Sequence, residues 1–171
     1  MNDFGITPGS AIGYGIYAQN DESAMEHNHV QTQEIHTDFG GRPFVIDIAK
    51  ATLHNDTYRT VLWTGPHLQL TVMSILPGDD IGLEVHPHVD QFLRIEGGNG
   101  VCQMGDSHDN LYFEQPVFDD TAVFVPAGTW HNITNTGNVP LRLYTIYAPP
   151  NHKAGAVHQT KQIAELEEEH H

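Results

Sequence analysis

A chain of 171 residues with 39% apolar content has the length of one domain and can bury a core without disulfide staples. Seven Lys and Arg stand against 22 Asp and Glu, a net charge of −15. Such a surface repels phosphate backbones and anionic lipid, which argues against nucleic acid and membranes as partners. No run reaches the ~18 apolar residues of a membrane span. The first twenty residues lack the basic and apolar regions of a secretory signal, and Cys102 has no second cysteine to pair with. The expected location is the cytoplasm.

Residues 1–40 are polar and rich in Gly, Asn and His, and read as an extension that is loose or drapes over the domain. The cluster His27, His29 and His36 within it reads as solvated. From Pro43 the texture changes. Pro43 to Ile48 reads as a strand, and Ala49 to Asn55 as one or two helical turns. Short runs rich in β-branched and aromatic residues follow: 58–64, 68–76, 81–86, 91–95, 100–104, 111–113, 121–125, 130–134 and 141–147. Turn signals separate them, among them Pro77-Gly78-Asp79, Gly97-Gly98-Asn99-Gly100 and Thr136-Gly137-Asn138. About ten strands without a long helix imply an antiparallel sandwich or barrel over residues 41–150. After Pro149-Pro150 the chain is expected to leave the barrel as a tail, 151–171, with a short helix over Thr160 to Glu169. Its acidic end, Glu165 and Glu167 to Glu169, reads as a solvated helix face. The closing His170-His171 carries no weight as a site, since terminal histidine runs also arise as purification tags.

Two groups of residues about fifty positions apart carry the chemistry. In the first, Gly78, Glu84, His86, Gln91 and Gly98 are separated by five, one, four and six residues. In the second, Pro126, Gly128, His131 and Asn135 follow Asp120. Residues two apart on a strand face one side, so Glu84 and His86 both point inward. Pro87 interrupts the ladder, and Gln91 opens the next strand on the same inward face as Leu93 and Ile95. His131 arrives from a third strand, after the Pro126-Ala127-Gly128 turn.

These two groups resemble the paired motifs of the cupin superfamily, G-x5-H-x-H-x3–4-E-x6-G and G-x5-P-x-G-x2-H-x3-N. Every spacing of the first matches, but Glu84 stands at the usual first His and Gln91 at the usual Glu. In the second motif Asp120 replaces the leading Gly. The resemblance covers residues 58–147 and implies an all-β, double-stranded β-helix (jelly-roll) barrel, here with the N-terminal extension and the tail helix added. A finer likeness, through Ile81 to Gln91, is to bacterial mannose-6-phosphate isomerase-like cupins.

The resemblance implies one divalent metal ion held by Glu84, His86, Gln91 and His131. Two imidazoles, a carboxylate and an amide oxygen suit Mn, Fe, Co, Ni or Zn and leave positions open for a small-molecule substrate. A competing register pairs His86 with His88 and sets Glu84 aside, but it is one residue short before Gln91. The expected acid–base groups are His88, His54, Tyr144 and Tyr147. Isomerase- or lyase-type chemistry on a sugar-like or hydroxy-carbonyl substrate leads, and a metal-dependent dioxygenase and a non-catalytic binding barrel are the alternatives. A phosphosugar needs cations, and the barrel region offers only Arg59, Arg94 and Arg142, with Arg94 facing outward. Exposed sheet edges make a homodimer the expected assembly.

Overall fold

The computed structural model describes residues 38–170. The expected role of residues 1–37, including the His27, His29 and His36 cluster, lies outside the described residues. One short helix, α1 (Ile48–His54), precedes eight strands: β1 (Arg59–Thr64), β2 (Gln69–Ile75), β3 (Asp90–Gly97), β4 (Asn99–Gly105), β5 (Phe113–Phe118), β6 (Ala122–Val125), β7 (Trp130–Asn135) and β8 (Leu141–Ala148). A two-residue strand β9 (Val157–His158) and the helix α2 (Lys161–Glu169) complete the described chain. All the pairings are antiparallel. Six strands form one sheet in the order β6-β3-β8-β2-β1-β9, and three form the other in the order β5-β4-β7. The segment 80–84 adds two isolated bridges to β7, Asp80 with Thr134 and Glu84 with His131. It therefore lines the free edge of the smaller sheet.

Between the sheets lies the core. Leu93, Ile95, Leu141 and Leu143 are wholly buried, with Met73, Ile75, Cys102 and Ile133 packed among them. Each fully buried branched side chain contributes roughly 1.5–3 kcal/mol relative to exposure. Alternation along β7, β8 and β3 as far as Ile95 sends odd-numbered residues inward and even-numbered ones outward; a register shift after Ile95 ends it in β3, where Glu96 is buried. Burial pushes the Cys102 thiol up to about 11, the behaviour of a small core residue.

The structure corrects the sequence reading in four places. Pro43 to Asp47 has no regular structure and leads directly into α1, where the Asp47 carboxylate caps the helix by accepting from Lys50 N. Ile81 to His86 is not a continuous strand, only a bridged segment. The strand expected over 111–113 instead runs Phe113–Phe118 and includes Pro116, which an edge strand tolerates because one side of it has no ladder to serve. The tail does not leave the barrel: β9 pairs with β1, and the described residues 38–170 belong to one compact unit.

The motif glycines have conformational reasons. Gly98 has φ +88°, and a Cβ there would sit 2.8 Å from Pro140 O. Asp120, where the family pattern has Gly, takes φ +68°, a region Asp tolerates better than most residues. Its carboxylate also meets Arg94 at 2.6 Å on the surface, and Arg94 faces outward as alternation predicts.

Candidate metal centre

The site is built from ladder geometry. Glu84 and His131 are direct bridge partners, exchanging Glu84 N to His131 O at 3.0 Å and His131 N to Glu84 O at 2.9 Å. His86 follows two residues on, and its carbonyl accepts from Gly128 N at 2.8 Å, which ties the turn before β7 to the first motif. Asp90 adds a second tie by accepting from Ala127 N at 2.8 Å. Gln91 enters from the larger sheet, beside Tyr147 in the β3–β8 ladder. The four expected ligands thus come from three parts of the chain.

The side chains of Glu84, His86 and His131 offer ligand atoms that all lie within 4.8 Å of one another. One carboxylate oxygen of Glu84 stands 3.3 Å from Nε2 of His86 and 3.3 Å from Nε2 of His131. Nδ1 of His131 is 2.9 Å from Thr129 O, and a carbonyl only accepts, so Nδ1 carries the proton. With Nδ1 so engaged, Nε2 is the ring atom turned toward Glu84 and the one available to ligate an ion. Burial alone would raise the pKa of Glu84, but interaction with the two imidazoles more than offsets that and holds it at about 2. The carboxylate is therefore an anion at any ordinary pH.

Satisfaction of buried polar atoms tests whether an ion fits. Nε2 of His86, Nε2 of His131 and Oε1 of Gln91 are buried with no hydrogen-bond partner among the described residues. Gln91 uses its amide nitrogen on Thr145 Oγ1 at 3.0 Å, which leaves the amide oxygen free. Unpaired buried polar atoms are rare and costly in folded proteins. Two of them, the imidazole nitrogens, flank the Glu84 carboxylate at 3.3 Å, and with the Gln91 amide oxygen they are donor types that suit a borderline divalent ion. His88 is exposed and stands outside the Glu84, His86 and His131 cluster.

The expected acid–base residues separate on the fold. Tyr147 is buried on the inward face of β8, and its ring meets that of His86 edge-on at 5.8 Å. Tyr144 lies on the outward face beside Phe92, and His54 is exposed at the end of α1, so neither is at the cluster. The sequence reading missed His152. Its Nε2 is 3.1 Å from Tyr147 Oη, and burial depresses its pKa to about 3. Wholly buried Gln69 holds it there, accepting from Asn151 N and His152 N and donating to His152 O. Nothing in the local pattern after Pro149-Pro150 signals this return; only the partnerless polarity of Gln69 in a strand hints at it.

Comparison with known proteins bears on the family and the fold. Residues 71–147 match the family model described as Cupin domain. An uncharacterised Bacillus subtilis protein, YrkC, is 61% identical over 127 residues, covering 74% of this chain and 68% of that protein. The crystal structure of BH2720 from Bacillus halodurans is 61% identical, with a TM-score of 0.75, over 76% of this chain and 98% of that one. TT1209 from Thermus thermophilus shares the fold at 21% identity and TM-score 0.52, over 61% and 96% of the two chains. Among the described residues no helix is long and apolar enough to cross a membrane. The motif pair, the two-sheet barrel and these matches place the chain in the cupin superfamily.

Proposed function

We propose that this cupin holds one divalent metal ion through Glu84, His86, Gln91 and His131, and acts on a small oxygen-rich molecule. Isomerase- or lyase-type chemistry on a sugar-like or hydroxy-carbonyl substrate is the reading we favour. One observation carries it: two buried, partnerless imidazole nitrogens flank an ionised carboxylate at 3.3 Å, while Gln91 keeps a buried amide oxygen free. Mn, Fe, Co, Ni and Zn accept two imidazoles, a carboxylate and an amide oxygen. When bound, such an ion supplies Lewis acidity toward a carbonyl or hydroxyl oxygen.

The chain's own residues supply the proton chemistry. Burial pushes Tyr147 well above the ordinary tyrosine value, so its phenol keeps its proton and serves as a hydrogen-bond donor or acid. Burial likewise keeps His152 neutral near pH 7, so its Nε2 can share a proton with Tyr147 Oη across 3.1 Å. The edge-on contact with His86 fixes the Tyr147 ring beside the ligand cluster. A dioxygenase would use the same His, His and Glu donors.

Elemental analysis of the purified protein, followed by turnover assays with that metal restored, tests the reading. Conversion of a hydroxy-carbonyl compound without O₂ uptake supports it. Stoichiometric O₂ consumption transfers the site to the dioxygenase reading. Tight binding of oxalate or a hydroxy ketone with no turnover of any candidate leaves a binding module.

A further inference from the structure

Arg59 opens β1, yet its side chain is only 2% exposed, which arginine seldom is without full pairing. Its guanidinium carbon lies 5.3 Å from the Tyr58 ring centroid. Nη1 meets Oε1 of Glu168 at 3.4 Å, a long contact, and the buried Nε has no partner among the described residues. A guanidinium has five N–H donors in a planar fork suited to a two-point carboxylate contact. Here it is short of acceptors.

The same side chain lines a cleft of 310 Å³, whose walls include Tyr58, Ile81 and Glu84 on the barrel side and Lys161, Ala164 and Glu168 on α2. Glu84 thus belongs both to this cleft and to the ligand cluster. Helix α2 closes the cleft with little apolar burial, since Ala164 is its one fully buried residue. Its polar contacts to the rest of the described chain are Lys161 with Asp79 and Asp80, Glu167 with His158 at 2.7 Å, and Glu168 with Arg59. Carboxylates at residues 167–169 oppose the negative end of the helix dipole, so local helix energetics do not account for them. Two of them serve instead as partners to His158 and Arg59 of the barrel. The acidic end is a solvated face, as the sequence suggested, and two of its carboxylates also reach the barrel.

We propose that Arg59 is the anchor for the carboxylate of the site's substrate, a small organic acid, and that Glu168 occupies this anchor in the substrate-free chain. The substrate assignment rests on the metal-site reading for the position of the reacting end; the anchor itself is made by β1 and α2. A free carboxylate satisfies Nη and Nε together, where Glu168 reaches only one. Glu168 is 59% exposed, so displacing it into water costs little.

Isothermal titration of the whole chain with pyruvate, and with pyruvamide as its uncharged analogue, tests this. The wild type should prefer pyruvate, and Glu168→Gln should bind it about five- to tenfold tighter by removing the internal competitor. Arg59→Lys should bind pyruvate about tenfold more weakly, because an ammonium cannot reproduce the fork. Should that variant not fold, exposed Glu168 still carries the test. Unchanged pyruvate affinity in Glu168→Gln, with only its melting temperature lowered, would make the pair a structural latch and overturn the proposal. Equal affinity for pyruvate and pyruvamide would do the same. Metal content measured on the same samples keeps the two readings apart. Arg59-dependent binding without bound metal refutes the metal site alone, and retained metal without Arg59 dependence refutes the anchor alone.

Discussion

The two ends of the barrel are made by the same strands, yet they obey different rules. At one end Leu93, Ile95, Leu141 and Leu143 close the interior, and no donor is left over because these side chains have none. At the other end the same strands β3, β8 and β2 set Gln91, Tyr147 and Gln69 side by side, and Tyr147 meets His86 of the Glu84, His86 and His131 cluster. Buried Thr145 and Thr71 form the row between. Gln69 is fully paired, whereas Gln91, His86 and His131 each keep a buried atom unpaired. Moving two residues along a strand therefore crosses from packing that stabilises the fold to polarity that costs stability. Polarity retained at such cost marks the working end.

Substitutions that swap the character of one end separate the two roles. The largest stability loss is expected from Leu143→Ala, a wholly buried core position facing Ile95 and Met73 across its ladders. Urea denaturation should show a loss of about 2–5 kcal/mol. Metal content should not change, since no ligand moves. A metal-poor Leu143→Ala protein that still folds would break the division between the ends.

The double change Gln91→Leu with Thr145→Val should act in the opposite sense. It replaces both members of a buried polar pair with apolar groups of similar size and removes the orphaned amide oxygen. Metal-free protein should be unaffected or up to about 1 kcal/mol more stable, while metal affinity falls. A clear loss of stability would mean that the polar row is structural.

Much of the apolar end was readable in the sequence, because period-two alternation in 91–95, 130–134 and 141–147 needs nothing beyond those residues. The Glu84 register could also be read: its spacing to His86 and Gln91 encodes a shared inward face, and the bridge to His131 gives that face its partner. Gln91 was legible for the same reason, while Tyr147 and Tyr144 could be told apart only by seeing which parity of β8 faces the core. His152, Arg59 and Glu168 were not legible. Their roles depend on long-range returns of the tail, through Gln69 and β9, that leave no periodic trace. Pro116 hid β5, since a proline within a run argues against a strand until the strand is known to lie at an edge.

A smaller effect should appear with pH. His152 has a folded pKa of about 3 against an ordinary 6.5, so below pH 6.5 the unfolded chain binds the proton and the folded one does not. Its contribution to stability is present above pH 6.5 and is lost as pH falls through that window toward 3. Urea midpoints measured from pH 7.5 down to pH 5 should fall less steeply in His152→Gln than in wild type. Parallel slopes would mean that the ring is not kept neutral. The smallest change is expected outside both ends, at Asp120→Gly. Relief of a positive φ is set against the lost Arg94 pair and a looser unfolded chain, for a net effect within about 0.5 kcal/mol.

The central claim, that the polar end is a metal site in the Glu84 register, is tested most directly by metal content per chain in purified alanine variants. Glu84→Ala, His86→Ala and His131→Ala should each lose nearly all bound metal, and His88→Ala should retain it at the wild-type ratio. Retention in Glu84→Ala together with loss in His88→Ala would contradict the account.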